Sequence, residues 1–535
     1  MRTPTGAAVL VQLLRRAGVE RVFTLSGNQI LPIFDAGLDA GIAFTDTRHE
    51  AAAAHMADAW ARVRGEPGVC LFSAGPGHTN ALSAILNAAR AESPVLWLSG
   101  GTTRAGAGRG GFQDLDQVGL AERVCKGAWR VDDVSVLPQT FALAWRTMLS
   151  GRPGPVHLTL PADLLAQPAA VEIPADLDLA PAVAPADPAT VDEALELLAT
   201  ALKPLVLAGP GLARGRGDAA MALEAFVDAT GLPCLPVESP RGLTDPIYQG
   251  MGRLTKEADI VLLLASRDFA VGFAQTPAFA ACRRVIVVDP AAVAGPTDLA
   301  LAGDPVAVLR QLVEGAGRFN WNVDPWIAEL SAARSAANAE LVDVAESTEV
   351  PIHPLRLATE IHDLLPEEAT TVFDGGEFAQ WARWAFGDWI GQTLVNGKLG
   401  MIGPSIPFAI GTAIAQGGGA PPVVAFLGDG TAGYHIMEFD TAVRHNVPFV
   451  AVIGNDAGWG AELHRQLSNY GEDRVVASYL LPSRYDEVAR ALGAHGEFVQ
   501  SPEEIAPAIR RALASGKPAC VNVLIRSLPS PTEAP

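Results

Sequence analysis

Cysteine is scarce. The 535 residues hold five, Cys70, Cys125, Cys234, Cys282 and Cys520, and none stands in a CxxC pair. That excludes a disulfide framework and a cysteine zinc site, and it suits a reducing, cytoplasmic compartment. Basic residues are also short. Against 59 Asp and Glu there are 39 Lys and Arg, a formal net charge of −20. Without a basic field to hold phosphates, nucleic acid and anionic membrane are excluded as partners, and the acidity serves solubility. No uninterrupted apolar span fits a membrane. The one long uncharged run, Leu399 to Gly428, is broken by Pro404, Pro407, Pro421, Pro422 and the Gly417-Gly418-Gly419 triplet. It reads as a buried Gly-rich helix followed by a strand. The N-terminus has a helical pattern, AAVLVQLLRRAGVE, with no basic leader and no cleavage site, so no signal peptide is expected.

Hydrophobic residues make up 49% and charged residues 18%, which describes a globular protein with large cores. The length calls for roughly two to four domains. Short apolar runs alternate with helical patterns almost throughout, the signature of α/β architecture with parallel sheets. GVERVFTLSG reads as a helix end and a strand. GVCLFSAGPGHTNALSAILNAARAESPVLWLSG reads as strand, Gly-rich turn, helix, strand, and GPVHLTLPADLL closes this first block near Asp163. Gln167 to Pro188, rich in Ala, Pro and Asp, is a linker. A second block follows, with strands at KPLVLAGPG, ADIVLLLAS and CRRVIVVDP; a polar helical stretch around Trp321–Val350 separates it from a third. The expected domains are residues 1–166, 189–320 and 350–527, each a doubly wound parallel sheet. The first and third blocks share size and rhythm without a residue-level repeat.

In the third block, VVAFLGDG and VPFVAVIGND each end a strand-like run with an acid, Asp429 and Asp456, 27 residues apart. In an open parallel sheet, ligands bind beyond the carboxyl ends of the strands. The stretch IMEFDTAVRH between them reads as a crossover helix. If the two strands are neighbours, both acids meet at one spot. Paired oxygen ligands suit Mg²⁺, a hard cation commonly shared with phosphates. Gly428 and Gly430 allow the backbone to approach a diphosphate closely.

GDG followed at this interval by an Asn-Asp pair resembles the thiamine diphosphate motif of the acetolactate synthase and pyruvate oxidase superfamily. The resemblance implies a three-domain fold, with a pyrimidine-binding, a central and a diphosphate-binding domain. It implies Mg²⁺ held by Asp429, Asp456 and the carbonyl of Gly458, with Gly428, Gly430 and Thr431 at the diphosphate. Asp456 departs from the Asn that many members carry, which would sharpen the pH dependence of metal binding. DTRHEAAAAHMADAWAR is similar to the cofactor-activating segment, with Glu50 as the activating glutamate. That chemistry needs a carboxyl group against N1′ of the aminopyrimidine, where an apolar helix start favours proton sharing. SAGPGHTN matches the family's glycine-rich turn and brings Pro76 and Asn80 to the cofactor. LGMIGPSIPFAIG matches the wedge segment, with Gly400 and, as the side chain beneath the cofactor, Ile402; Met401 stands next to it. DGGEFAQWA resembles the loop near the diphosphate, through Gly376. These matches run from about residue 5 to residue 525.

Within the superfamily the chain resembles acetolactate synthase-like proteins and benzaldehyde lyase. GGFQDLDQVGL is similar to the segment that places a glutamine over the reacting centre, so Gln113 is a candidate substrate contact. Asn28 and Gln29, after the first strand, are neutral amides that can donate to a substrate carbonyl or carboxylate but cannot act as acid or base near pH 7. Asn396 and Lys398 precede the wedge and could reach the site. His78 and His435 read as structural. The resemblance implies decarboxylation and carboligation of 2-oxo acids; lysis of 2-hydroxy ketones or 2-hydroxyacyl-CoA, and a non-catalytic cofactor-binding paralogue, stay open beside it. FAD also stays open. ASRDFAVGFAQ keeps Arg267 and Asp268 where FAD-binding synthases have an Arg-rich stretch, and AGPGLARGRG is a plausible nucleotide turn. Family sites form between the first domain of one subunit and the third of another, which implies a homodimer or homotetramer.

Overall fold

Short β-branched runs become strands and the amphipathic runs between them become helices. The computed structural model describes residues 4–169, 171–213, 217–266, 270–271, 276–277, 281–291 and 297–531. The chain forms two compact units, Met1–Val183 and Ala184–Pro535.

The first unit holds one sheet: β1 (Arg21–Thr24), β2 (Ala43–Asp46), β3 (Gly68–Phe72), β4 (Val95–Gly101), β5 (Gly127–Arg130) and β6 (Val156–Pro161). Every neighbouring pair is parallel, in the order β2-β1-β3-β4-β6-β5. The strands β3, β4 and β6 are buried along their whole length, as expected when helices cover both faces. Leu10 and Leu14 of the helix Gly6–Arg16 and Phe141 of the helix Leu137–Leu149 pack with Val69, Leu71, Leu96 and Leu158 in one core. The helices Glu50–Arg64 and Pro76–Arg90 pack on each other. The first of these starts where His49 Nδ1 accepts from Ala51 N–H at 3.1 Å, and stops at Gly65, whose φ of 69° suits glycine. Residues 171–187 contain no helix or strand.

The second unit holds two parallel sheets. One takes β7 (Pro204–Ala208), β8 (Cys234–Pro236), β9 (Ile260–Leu264), β12 (Arg284–Asp289) and β13 (Leu299–Ala302), in the order β13-β12-β9-β7-β8. The two-residue strands β10 (Ala270–Val271) and β11 (Thr276–Pro277) form a separate antiparallel pair. Arg267, Asp268 and most of the Ala265–Gln275 stretch lie outside the described residues, as do 214–216 of the Ala208–Gly217 turn. The other sheet takes β14 (Thr370–Phe373), β15 (Thr393–Val395), β16 (Val423–Gly428), β17 (Val450–Asn455), β18 (His495–Val499) and β19 (Ala519–Leu524), in the order β15-β14-β16-β17-β19-β18. A buried ion pair, Arg383 Nε to Asp245 Oδ1 at 2.8 Å, and Gln249 Nε2 donating to Trp384 O at 2.6 Å join the central residues to the third block.

Ranked by sequence, the outer two sheets share one strand order. The rhythm common to the first and third blocks is therefore a common topology, carried by unrelated residues. One local expectation changes. The crossover between β16 and β17 is two helices, Asp429–His435 and Glu438–Arg444. Asp429 opens the first instead of sitting in a turn, because extended Gly428 caps the helix directly off the strand. Ile436 and Met437 between them keep helical dihedrals.

Candidate active site

The strands β14, β16 and β17 lie side by side, and the sheet order reverses between β14 and β16, the switch point where α/β sheets bind ligands. Gly428 is in register with Gly454, so Asp429 and Asp456 leave neighbouring strands at the same end. They line a cleft together with Gly376, Ile402, Gly428, Gly430, Thr431 and Gly458. Asp429 is 1% exposed, and neither of its carboxylate oxygens has a well-aligned hydrogen-bond partner among the described residues. Burial, and then the nearby Asp456 charge, push its pKa up to about 7. Burial also raises Asp456, whose Oδ2 accepts from the Ser527 hydroxyl at 2.7 Å. Two like charges side by side, one of them buried with unfilled lone pairs, are costly alone and are relieved by a divalent cation. Among the described residues no group of three or more His, Cys, Asp or Glu is set to hold a metal. A cation here would therefore take its other oxygens from backbone, water or phosphate, the donor set that suits Mg²⁺.

The walls fit a diphosphate. The helices Glu377–Ala385 and Gly460–Tyr470 begin at the cleft, with amide groups at their positive ends. Gly376 has φ 88° and nothing within 4 Å of where a Cβ would stand. A Cβ on Gly430 would lie 2.7 Å from the Trp459 ring, and one on Gly460 would lie 3.0 Å from Asp456 Oδ2. Ile402 packs on Gly375, where a Cβ would come within 2.6 Å of its Cγ2. Buried Asp374 fixes that segment. It accepts from the backbone N–H of Gly375 (2.7 Å), Gly403 (2.9 Å) and Ser405 (3.2 Å) and from the Ser405 hydroxyl (2.5 Å). Asn396 Nδ2 donates to Met401 O at 2.9 Å, which ties this side chain to the wedge segment. Gly400, with φ 70°, faces Pro240 and does not line the cleft. Sequence reasoning missed Asp374, Trp459 and Ser527. The DGG run could have suggested Asp374; the other two left no local signal.

In the first unit Glu50 is buried at the first turn of its helix, and Asn80 Nδ2 donates to its Oε2 at 3.0 Å. Pro76 opens the neighbouring helix and is exposed. Gln29 Nε2 donates to Gln113 Oε1 at 2.7 Å, so two candidates for substrate contact meet. Asn28 beside them is exposed. His78 is structural: it stacks on Trp97 at 4.0 Å, bonds Ser99 Oγ at 3.1 Å, and burial holds its pKa down to about 3. Gln117, a residue the motifs did not single out, is buried and links the turn after β3, through Gly75, to Gly100 of β4.

Two family models match the chain. The thiamine pyrophosphate enzyme N-terminal TPP binding domain covers residues 4–120, and the C-terminal TPP binding domain covers residues 374–523. The probable acetolactate synthase of Mycobacterium bovis is 34% identical over 98% of this chain and 96% of its own length. The 2-hydroxyacyl-CoA lyase 2 of Bos taurus is 31% identical over 98% and 90%. The probable acetolactate synthase large subunit of Methanocaldococcus jannaschii is 28% identical over 97% and 92%. With both cofactor-binding domains matched and whole-length relatives above 30% identity, the chain belongs to the thiamine pyrophosphate enzyme family.

Proposed function

We propose that this enzyme decarboxylates a 2-oxo acid and joins the remaining acyl group to a second carbonyl compound, as an acetolactate synthase does. The observation that carries the cofactor chemistry is the pair Asp429 and Asp456, in which buried Asp429 has unfilled oxygens beside half-buried Asp456. Asp429, Asp456 and the Gly458 carbonyl would hold Mg²⁺, and the Gly376, Gly428, Gly430 and Thr431 walls would take the diphosphate. Bound thiamine diphosphate supplies an electron sink for the substrate's carbonyl carbon. Ile402, braced by Asp374 through its neighbours, would support the cofactor from below. Glu50, steadied by Asn80, would hold a proton at aminopyrimidine N1′, with the Pro76 turn and Gly400 serving as further cofactor contacts. Asn28, Gln29 and Gln113 would orient substrate. All three are neutral amides, and an enzyme that forms a C–C bond must keep protons from the carbon that makes it.

Active sites would form between subunits, with Glu50 of one copy serving the cofactor anchored on Asp429 and Asp456 of another, in a homodimer or homotetramer. The five free thiols support a cytoplasmic setting; among the described residues no helix is long and apolar enough to cross a membrane. The lyase reading is favoured by the relatives named 2-hydroxyacyl-CoA lyase. Pure protein with thiamine diphosphate, Mg²⁺ and pyruvate, without FAD, tests the proposal. Acetolactate formation supports it and shows FAD to be dispensable. Cofactor binding without pyruvate loss, together with cleavage of a 2-hydroxy ketone or 2-hydroxyacyl-CoA, would replace it with the lyase reading.

A further inference from the structure

We infer that Gln117 is a positioning residue that sets the spacing of the Gln29–Gln113 amide pair; the inference rests on the reading above, in which that pair faces substrate. Gln117 is 3% exposed and does not itself reach the substrate side. Its Oε1 accepts from Gly75 N–H at 3.1 Å, and its Nε2 donates to Gly100 O at 3.0 Å and Thr159 Oγ1 at 3.3 Å. A backbone N–H only donates and a carbonyl only accepts, so these contacts fix which way the amide points. Each glycine lies under one member of the pair. A Cβ on Gly75 would come within 3.0 Å of Gln113 Cβ, and a Cβ on Gly100 within 2.6 Å of Gln29 Cβ. The two side chains then meet at 2.7 Å. Gln117, Gly75, Gln113, Gln29 and Gly100 thus close a ring, with Gln117 as the strut opposite the substrate-facing edge.

The ring is held under tension at one corner. Gln113 has φ 57°, a left-handed conformation that a glutamine keeps only when its surroundings impose it. Gly75, also left-handed at φ 61°, has no room for a side chain beneath it. If the strut is removed, Gly75 is free to shift and Gln113 can relax. The 2.7 Å contact uses Gln113 Oε1 and one Gln29 Nε2 hydrogen, and leaves the Gln113 Nε2 hydrogens as donors and Gln29 Oε1 as an acceptor outside the pair. Those free groups suit a carbonyl next to a hydroxyl, and their separation decides how well they serve both.

Two variants test this. Gln117→Met keeps the length and removes both bonds; Gln117→Glu keeps the acceptor toward Gly75. In the apoprotein, deuterium uptake at Gly75 should rise in Gln117→Met and stay near wild type in Gln117→Glu. In the loaded enzyme, Gln117→Met should lower kcat/KM for the acceptor carbonyl by roughly 10- to 100-fold, the scale of a 1 Å misplacement. The thiamine diphosphate Kd should stay within about twofold, as befits an effect confined to orientation. Combined with Gln113→Ala, Gln117→Met should cost nothing further, because nothing is left to position. Additive losses, or a parallel loss of cofactor affinity, would overturn the inference. If Gln117→Met does not fold, Gln117→Glu, which keeps the Gly75 bond and loses the donor to Gly100 O, should alter acceptor discrimination with Gly75 exchange near wild type, and unchanged discrimination overturns the inference. A wild type inert toward every 2-oxo acid and 2-hydroxy ketone would sink the functional reading separately. A crystal structure of Gln117→Met then decides the strut, and an unaltered Gln29–Gln113 contact there refutes it.

Discussion

Glu50 and Asp429 are both buried carboxyls, yet their surroundings prepare them for different partners. Glu50 already has Asn80 as a neutral donor, which would steady it in the proton-sharing role proposed for it. Glu50→Gln should lower turnover by roughly 10²- to 10⁴-fold, the usual worth of a positioned acid or base. Cofactor affinity should change little; a rate assay beside a fluorescence titration checks both, and full activity would remove Glu50 from the mechanism. His78 offers a prediction about pH. Its pKa is held down from 6.5 to about 3 by burial against Trp97, Ser99 and His157. Below 6.5 the unfolded chain takes up a proton that the folded chain refuses until about 3. Its contribution is therefore intact above 6.5 and lost as pH falls, at about 1.4 kcal/mol per pH unit. Urea midpoints between pH 6.5 and 4.5 should fall less steeply for His78→Gln than for wild type. His157, buried beside it and also lowered, keeps part of the slope.

The loop from Asn396 to Ser405 has little regular structure, and its shape comes from Asp374 across the strand end. Asp374→Ala strands three backbone donors and a hydroxyl, which should cost about 2–4 kcal/mol by denaturant melts. Thiamine diphosphate should bind more weakly as Ile402 loses its brace, and an unchanged Kd would show that the wedge holds itself. This element also marks the limit of what the sequence makes legible. Strands were readable because apolar runs bounded by Gly and Pro have few alternatives, and the acids at β16 and β17 were readable because adjacent parallel strands deliver their ends to one place. Gly376, Ile402, Thr431 and Gly458 came with the motifs, and the cleft gathers them. Gly400 sits apart from that cleft against Pro240. Ser527 reaches Asp456 from 71 residues away, and Trp459 packs where a side chain on Gly430 would stand. Contacts of that kind depend on tertiary placement and leave no local pattern. Gln117 was hidden for the opposite reason: one amide in a polar segment has nothing to distinguish it until both its partners are known.

At the scale of the whole molecule, the proposed inter-subunit site makes a prediction that no single chain could satisfy. Glu50→Gln and Asp429→Asn, each inactive alone, should regain about a quarter of wild-type activity when unfolded and refolded together. Half of random dimers are mixed, and one of the two sites in each is intact by symmetry. No recovery, with mixed dimers shown by mass spectrometry, would mean that each chain builds its own site. The shared strand order carries a further consequence. Near the ends of its first, third and fourth strands by rank, the first sheet carries Gln29, Gly75 and Gly100, and the third-block sheet carries Asp374, Gly428 and Asp456. In the first sheet these ends are tied by Gln117, whose amide accepts from Gly75 N–H and donates to Gly100 O. One strand order thus serves as a scaffold around a buried amide in one sheet and frames the acid-lined cleft in the other.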